Sequence, residues 1–259
     1  MSRIRRASDR LARLTSSRER AAVQPEQSAS APAGRGLPDD MDRKARQIIR
    51  LVRPYTMTSP EKLFALITGV RHVARVNLPG DIVECGVWRG GSMHAVARTL
   101  LSVGVTDCEL YMFDTFTGMT EPTERDRRGD KTATELLEQA DKSENVWAIA
   151  SLEDVQAGIG TLDYPQHRFH YVAGPVEETI PGSAPETIAL LRLDTDWYES
   201  TRHELEHLYE RLVPGGVLIL DDYGSWQGAK EATDEFMARL DNPPMMTRAG
   251  RGRIGVKPA

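Results

Sequence analysis

The sequence has few cysteines and no long apolar run, and both shortages limit the classes of protein to which it can belong. It contains two cysteines in 259 residues, Cys85 and Cys108, and neither belongs to a paired-cysteine metal motif. We therefore interpret both as small core residues and expect no disulfides. No stretch approaches the roughly 20 apolar residues of a membrane-spanning helix, and the N-terminus lacks the apolar core of a secretion signal. The sequence thus predicts a cytoplasmic protein that is not attached to a membrane.

The chain also lacks a surplus of positive charge, since its formal net charge is −5 at pH 7. This balance argues against a nucleic-acid partner. The charge is uneven, because residues 1–40 hold eight arginines against five acids and carry +3, which leaves −8 for the rest. Ser, Ala, Pro and Gly follow in residues 24–36. We predict that residues 1–40 form a disordered basic tail and that residues 41–259 form one domain.

Helical and strand patterns divide this domain into two parts. Apolar spacing predicts helices over residues 42–52 and, after a Ser59-Pro60 start signal, 59–76. Strands and helices then alternate, which predicts an α/β fold with a mostly parallel, doubly wound sheet. The predicted strands are 81–85, 110–113, 168–172, 188–193 and 217–220, with a closing hairpin of 245–248 and 253–256. The predicted helices between them are 92–101, 199–212 and 229–240, and residues 214–216 are expected to form a turn.

One connection is much longer than the others. More than fifty residues separate the second and third predicted strands. Residues 117–130 within it are polar and charged, with Gly118 and Gly129 as possible hinges. The segment follows the carboxyl end of a strand, where ligands bind in such folds. We therefore expect a lid or a disordered insert there.

A glycine turn follows the first strand and precedes a helix. A ligand can approach the backbone closely at glycines, and the helix start presents free N–H groups. Gly86 is separated from Gly90-Gly91 by three residues, which misses the G-x-G-x-x-G spacing of dinucleotide sites. Glu84 is placed to meet the ammonium group of S-adenosylmethionine, although a simple tight connection between strand and helix remains open. The candidate cofactor contacts here are Glu84, Gly86, Val87, Gly90, Gly91 and Ser92.

The second strand ends in a carboxylate, Asp114, which lies 24 residues beyond Gly90. An acid at this strand tip can accept hydrogen bonds from both ribose hydroxyls of an adenosine ligand. Alone, Asp114 would be interpreted as a turn residue. Together with the glycine turn it favours a cofactor site, to which we add the adjacent Thr115.

Two later strands end abruptly in acids. Asp194 and Asp196 follow one of them, and Asp221 and Asp222 follow the next. Because neighbouring parallel strands end at the same edge of the sheet, these side chains should lie together. Crowded carboxylates repel one another without a cation, and Mg²⁺ is the natural partner for oxygen ligands. Asp196 is instead expected to cap the following helix.

Four ordered segments resemble the macrocin O-methyltransferase (TylF-type) family, whose members methylate sugar hydroxyls in bacterial antibiotic biosynthesis. Residues 86–91 read Gly-Val-Trp-Arg-Gly-Gly, and residues 113–118 read Phe-Asp-Thr-Phe-Thr-Gly. Residues 193–201 read Leu-Asp-Thr-Asp-Trp-Tyr-Glu-Ser-Thr, and residues 215–223 read Gly-Gly-Val-Leu-Ile-Leu-Asp-Asp-Tyr. The resemblance covers about residues 50–240.

This resemblance implies a Rossmann-like class I S-adenosylmethionine methyltransferase domain over residues 41–259. The implied sheet is seven-stranded and mostly parallel with a reversed last strand, and it carries an N-terminal helical addition and a lid insertion after strand two. The resemblance also implies Mg²⁺ at the positions of Asp194, Asp221 and Asp222, with Asp194 as the general base.

The expected reaction is methylation of a sugar hydroxyl in a glycosylated natural product or an activated sugar. Catechol-type methyltransferases, which act on aromatic vicinal diols, carry a lysine three residues after the first metal aspartate, where this chain has Trp197. A nicotinamide-dependent oxidoreductase is the other enzymatic alternative and is disfavoured by the glycine spacing, while a non-catalytic binding protein is disfavoured by the intact acids. The expected partner is a small-molecule glycoside or nucleotide-sugar acceptor, with no nucleic acid or membrane, and we expect a homo-oligomer.

Overall fold

The computed structural model describes residues 37–259, so the predicted tail lies almost entirely outside the described residues. Helix α1 (Arg43–Val52) begins after Asp42, whose carboxylate accepts hydrogen bonds from the backbone N–H groups of Lys44 and Ala45, both at 3.0 Å. Helix α2 (Pro60–Val76) begins after Ser59. Both helices and the Ser59-Pro60 start signal were predicted from the sequence, whereas the capping role of Asp42 was not. None of the helices in the described part of the chain is long and apolar enough to cross a bilayer.

A seven-stranded sheet forms the centre of the domain. Its parallel strands are β1 (Asp81–Cys85), β2 (Leu110–Asp114), β5 (Phe169–Ala173), β6 (Ile188–Leu193) and β7 (Leu212–Leu220). The closing hairpin is β8 (Met246–Ala249) and β9 (Gly252–Val256), with the short strands β3 (Arg127–Arg128) and β4 (Lys131–Thr132) in a separate hairpin. The sheet order is β5-β2-β1-β6-β7-β9-β8, and β9 runs antiparallel to β7. The predicted reversed last strand is confirmed.

Two apolar layers cover the sheet. On one side, α1, α2 and α3 (Gly91–Ser102) pack over side chains such as Ile82 and Leu190. On the other side, α7 (Tyr198–Leu208) and α8 (Gln227–Met237) pack over side chains such as Leu191 and Leu218. Because both faces are covered, all six residues of β6 are buried, as its near-continuous apolar run predicts.

One boundary prediction is wrong. Residues 214–216 were expected to form a turn before a strand at 217–220, but β7 already begins at Leu212. Leu212 is fully buried and pairs with Ile188, so the strand must start there, and the register shifts between Ile188 and Leu190. Helix α7 correspondingly ends at Leu208 rather than 212.

The segment between β2 and β5, here called the insertion (residues 115–168), is ordered. It contains the β3–β4 hairpin, α4 (Ala133–Gln139) and α5 (Leu152–Ile159), and α6 (Val176–Thr179) follows β5. Thr132 and Glu135 form a capping box at the start of α4. The apolar side of α4 packs against Trp197 and Trp226. The insertion therefore covers the carboxyl edge of the sheet as a folded lid.

Candidate active site

A cavity of about 390 Å³ opens at the carboxyl ends of the central strands. One wall carries Gly86, Trp88 and Asp114, the floor carries acids that follow β6 and β7, and the insertion contributes the opposite wall. Trp88 has φ +47°, a left-handed conformation that is uncommon for a bulky side chain. The cavity thus brings the glycine turn and the strand-end acids, which are distant in sequence, into one space.

The aspartate cluster, defined as Asp194, Asp221 and Asp222, forms part of this floor. Each residue offers one carboxylate oxygen, and these oxygens all lie within 4.8 Å of one another. The arrangement follows from the sheet, because Leu193 pairs with Leu220 and the acids come directly after them. Asp221 and Asp222 are buried and Asp194 is half-buried. Three oxygens at this spacing fit the ligand set of a hard divalent cation.

Crowding changes the acidity of this cluster. Burial, followed by the negative charges of Asp221 and Asp222, raises the pKa of Asp194 well above its ordinary value. Burial and the neighbouring Asp196 likewise raise the pKa of Asp222. Burial and Asp194 raise the pKa of Asp196 to about 7. These directions have one cause, because each buried carboxylate would have to hold a charge beside others of the same sign.

Two cations that the sequence analysis did not identify enter the same site. Nη2 of Arg192 lies 2.6 Å from Oδ1 of Asp221 and 2.8 Å from Oδ2 of Asp194. Lys62, on α2, contacts the other oxygen of Asp221. Burial raises the pKa of Asp221, but the positive charges of Arg192 and Lys62 outweigh it, and the net shift is downward.

Glu84 is buried beside the site, and its predicted contact with the cofactor stays a prediction. Its carboxylate is 1% exposed, is not part of the cavity wall and contacts Arg192 at 2.5 Å. The cause is strand register, because Glu84 in β1 pairs with Arg192 in β6 and both side chains lie on the same face of the sheet. Burial raises the pKa of Glu84 to about 7 even though Arg192 lowers it. In this position Glu84 contacts Arg192 and lies behind the glycine turn.

Tight packing excludes a side chain at two glycines of the turn. A Cβ at Gly86, where φ is +81°, would lie 2.0 Å from the backbone oxygen of Asp194. A Cβ at Gly91 would lie 2.5 Å from the backbone oxygen of Tyr55. Of the turn residues predicted to bind the cofactor, Gly86 lines the cavity. The others lie behind its wall, namely Val87, Gly90, Gly91 and Ser92.

Asp114 and Thr115 line the cavity, and Asp114 also holds the glycine turn in place. Oδ2 of Asp114 accepts hydrogen bonds from the backbone N–H groups of Val87 at 2.7 Å and Trp88 at 2.9 Å. Oδ1 accepts one from Phe116 N–H at 2.7 Å. Burial nevertheless raises the pKa of Asp114. Its predicted contact with a ribose stays a prediction, and the structure adds this connecting role.

Asp196 does not cap α7, contrary to expectation. The residue before this helix is Trp197, and no side chain of its own turn caps the helix. Instead Tyr198 N–H donates to Oδ1 of the buried Asp126, in the insertion, at 2.7 Å. Trp197 Nε1 also donates to the backbone oxygen of Thr120 at 3.1 Å. Because Asp126 caps the helix, Asp196 can belong to the acidic site instead. The backbone N–H of Asp196 donates a hydrogen bond to Asp222 at 3.2 Å.

Comparison with known proteins gives consistent matches. The family model described as Macrocin-O-methyltransferase (TylF) matches residues 7–247. Demethyldecarbamoylnovobiocin O-methyltransferase of Streptomyces niveus is 32% identical over 187 residues, which cover 72% of this chain and 69% of that protein. Mycinamicin III 3''-O-methyltransferase of Micromonospora griseorubida is 33% identical over 185 residues, 71% of each chain.

Solved structures agree with these sequence matches. The O-methyltransferase NovP superposes with a TM-score of 0.69 at 30% identity, covering 79% of this chain and 83% of its own. The calicheamicin methyltransferase CalS11 superposes with a TM-score of 0.58 at 19% identity, covering 88% and 99%, and supports the fold alone.

Proposed function

The chain belongs to the macrocin O-methyltransferase family, and from this we propose that it transfers the methyl group of S-adenosylmethionine to a sugar hydroxyl with the help of Mg²⁺. The acceptor is a glycosylated natural product or an activated sugar, by analogy with relatives named for novobiocin and mycinamicin precursors. The observation that carries the proposal is the aspartate cluster lying in the same cavity as Gly86 and Asp114. The nicotinamide-dependent alternative is set aside, because this family consists of methyltransferases.

Charge supports a divalent cation at the aspartate cluster. Asp194, Asp221 and Asp222 would hold Mg²⁺ through carboxylate oxygens. The aspartate cluster and the two carboxyl groups beside it, Glu84 and Asp196, outnumber the three nearby cations, which are Arg192, Lys62 and Arg128. The raised pKa values of Asp194, Asp196 and Asp222 show that these cations do not fully offset the acids, and a charge of +2 would. When bound, the ion would lower the pKa of an acceptor hydroxyl and fix its direction.

Asp194 is the residue to which we assign proton removal. It is the half-buried member of the aspartate cluster, and its side chain lines the cavity. Arg192 contacts one of its oxygens, so the other can face the acceptor. Burial and the neighbouring carboxylates raise the pKa of Asp194 when no cation is present, and a bound divalent ion would lower it again. The assignment therefore rests on the position of Asp194 in the cavity, within reach of an acceptor hydroxyl.

The wall that carries Gly86 and Asp114 is assigned to S-adenosylmethionine, which supplies the methyl group. Asp114 and Thr115 would contact the ribose, and Gly86 would lie against the ligand. Val87, Gly90, Gly91, Ser92 and Glu84 would act from behind the wall, by shaping the glycine turn. Holding both substrates in reacting geometry is worth up to ~7–11 kcal/mol in favourable cases.

An aromatic vicinal diol remains a second candidate acceptor because of Lys62. The position that carries a lysine in catechol-type enzymes is Trp197, which is 2% exposed and packs against Trp226. A lysine nevertheless reaches the aspartate cluster from α2, since Lys62 contacts Asp221. The missing lysine in the sequence motif is therefore a weaker argument against this class than it is in the sequence alone.

A screen of acceptors tests the proposal. The purified protein is incubated with S-adenosylmethionine, Mg²⁺ and separate panels of glycosides, nucleotide-sugars and catechols, and products are examined by mass spectrometry for one added methyl group. We expect methylation in a sugar panel. Methylation of catechols with none of any sugar would overturn the acceptor class but leave methyl transfer intact.

A further inference from the structure

Arg192 is the most deeply buried charged side chain that contacts the aspartate cluster. It lies in β6, the central strand, and is 2% exposed. Its Nη1 contacts Glu84 on β1 at 2.5 Å, and its Nη2 contacts Asp221, which follows β7, at 2.6 Å. Nη2 also lies 2.8 Å from Asp194 and 3.1 Å from Oγ1 of Thr58. One guanidinium group therefore connects three neighbouring strands beneath the cavity.

We infer that Arg192 is a positioning residue that orients Asp194 and Asp221 toward a shared divalent cation, with Glu84 as its anchor. This inference rests on the proposed function, because it concerns the same metal. Arg192 contacts one oxygen of Asp194 and one of Asp221. The two carboxylates are thereby fixed relative to each other and close to Asp222. The second oxygen of Asp221 contacts Lys62, so a bound cation would share an oxygen of Asp221 with Arg192 or Lys62. Outer contacts of this kind set the direction of metal ligands in many proteins.

The planar, forked shape of the arginine side chain, more than its charge, supports a positioning role for Arg192. A positive charge beside a cation site repels the cation, so a purely electrostatic role for Arg192 would weaken metal binding. Lys62 provides a comparison, because it contacts the same Asp221 through a single ammonium group and bridges no strands. A planar group with several fixed donors can hold Glu84 on one nitrogen and two aspartates on another, which an ammonium on a flexible chain cannot do.

Charge-conserving variants separate positioning from electrostatics. In Arg192→Lys the net charge is unchanged but the fork is lost, and in Glu84→Asp the charge is unchanged but the anchor is too short. The control is Arg168→Lys, which alters an arginine paired with Glu109 outside the cavity. For each full-length protein we would measure the dissociation constants of Mg²⁺ and S-adenosylmethionine by calorimetry, together with the melting temperature.

Positioning predicts a selective loss. Arg192→Lys should weaken Mg²⁺ binding roughly 10–100-fold, the range typical of lost outer contacts to metal ligands. S-adenosylmethionine affinity should stay within about twofold of the original, since the cofactor wall does not include Arg192. Glu84→Asp should shift Mg²⁺ affinity in the same direction by less, and Arg168→Lys should change neither affinity. Lys62→Met, which removes a repelling charge, should leave Mg²⁺ binding equal or tighter.

Four results would count against the inference. Unchanged Mg²⁺ affinity in a folded Arg192→Lys protein would overturn it, and so would a parallel loss of both affinities, which indicates general unfolding. If Arg192→Lys does not fold, Glu84→Asp decides, and unchanged Mg²⁺ affinity there would overturn the inference. A failure of the original protein to bind Mg²⁺ would instead defeat the metal in the proposed function, and this inference with it.

Discussion

Replacing Asp114 by asparagine tests the cofactor wall of the cavity. The carboxylate accepts three backbone hydrogen bonds, from Val87, Trp88 and Phe116. Asparagine keeps one acceptor oxygen but turns an NH₂ group toward an N–H donor, so one bond is lost and the others lose their charge assistance. A hydrogen bond to a charged group contributes about 1.5–3 kcal/mol. We therefore expect Asp114→Asn to lower the free energy of unfolding by about 2 kcal/mol, or the melting temperature by roughly 4–8 °C.

The same substitution should also weaken the binding of S-adenosylmethionine. Loss of the charged acceptor for the ribose, worth about 1.5–3 kcal/mol, corresponds to a roughly 10–100-fold larger dissociation constant. Calorimetry at saturating Mg²⁺ measures this change. The matched control is Asp42→Asn at the start of α1, where a carboxylate also accepts two backbone hydrogen bonds far from the cavity. It should lower stability without changing cofactor affinity. An Asp114→Asn protein with undiminished affinity would show that the ribose is bound elsewhere.

Three further predictions follow from the acids, a buried histidine and the tail. Asp194→Asn should lose nearly all turnover because an amide cannot accept the proton, whereas Asp222→Asn keeps an oxygen ligand and should retain some; high turnover of the Asp194 variant would move the base elsewhere. Burial lowers the pKa of His94 to about 4, so the folded state favours the neutral ring, and about 3 kcal/mol of stability should be lost as pH falls from about 6.5 to about 4. Denaturant titrations at both pH values should show that His94→Phe removes this part of the acid sensitivity, and an unchanged pH dependence would contradict it. Deletion of residues 1–36 should leave the melting temperature and cofactor affinity nearly unchanged, and a large loss of either would show that the tail contributes to the fold or to an assembly.

The fold was largely predictable because its strands are buried on both faces. The apolar run of β6 and the abrupt acids after β6 and β7 identify central parallel strands and place the aspartates at one edge. The start of β7 was not predictable, because a Pro-Gly-Gly sequence normally indicates a turn. Pairing of Leu212 with Ile188 and backbone hydrogen bonds of Gly215 and Gly216 with Lys257 hold this segment in the sheet.

The parts of the site that follow from local sequence patterns were predictable. The aspartate cluster follows from strand ends, and Arg192 had a signal, since it is the one charged residue in the otherwise apolar β6. Lys62 and Asp126 had none, because their contacts with Asp221 and Tyr198 join residues 159 and 72 positions apart. The contact of Glu84 with Arg192 was not predictable either, because it depends on the pairing of β1 with β6.

The requirement for a metal at the aspartate cluster tests the account most directly. The measurement is turnover and S-adenosylmethionine binding of the full-length enzyme after chelation by EDTA, with metal content checked by elemental analysis. We expect turnover to be abolished and then restored by Mg²⁺, because Asp194, Asp221 and Asp222 would otherwise face one another without a divalent counter-charge. Cofactor binding should persist, since the wall that we assign to the cofactor is lined by Gly86, Asp114 and Thr115 rather than by the aspartate cluster. Full turnover by a verified metal-free enzyme would contradict the account.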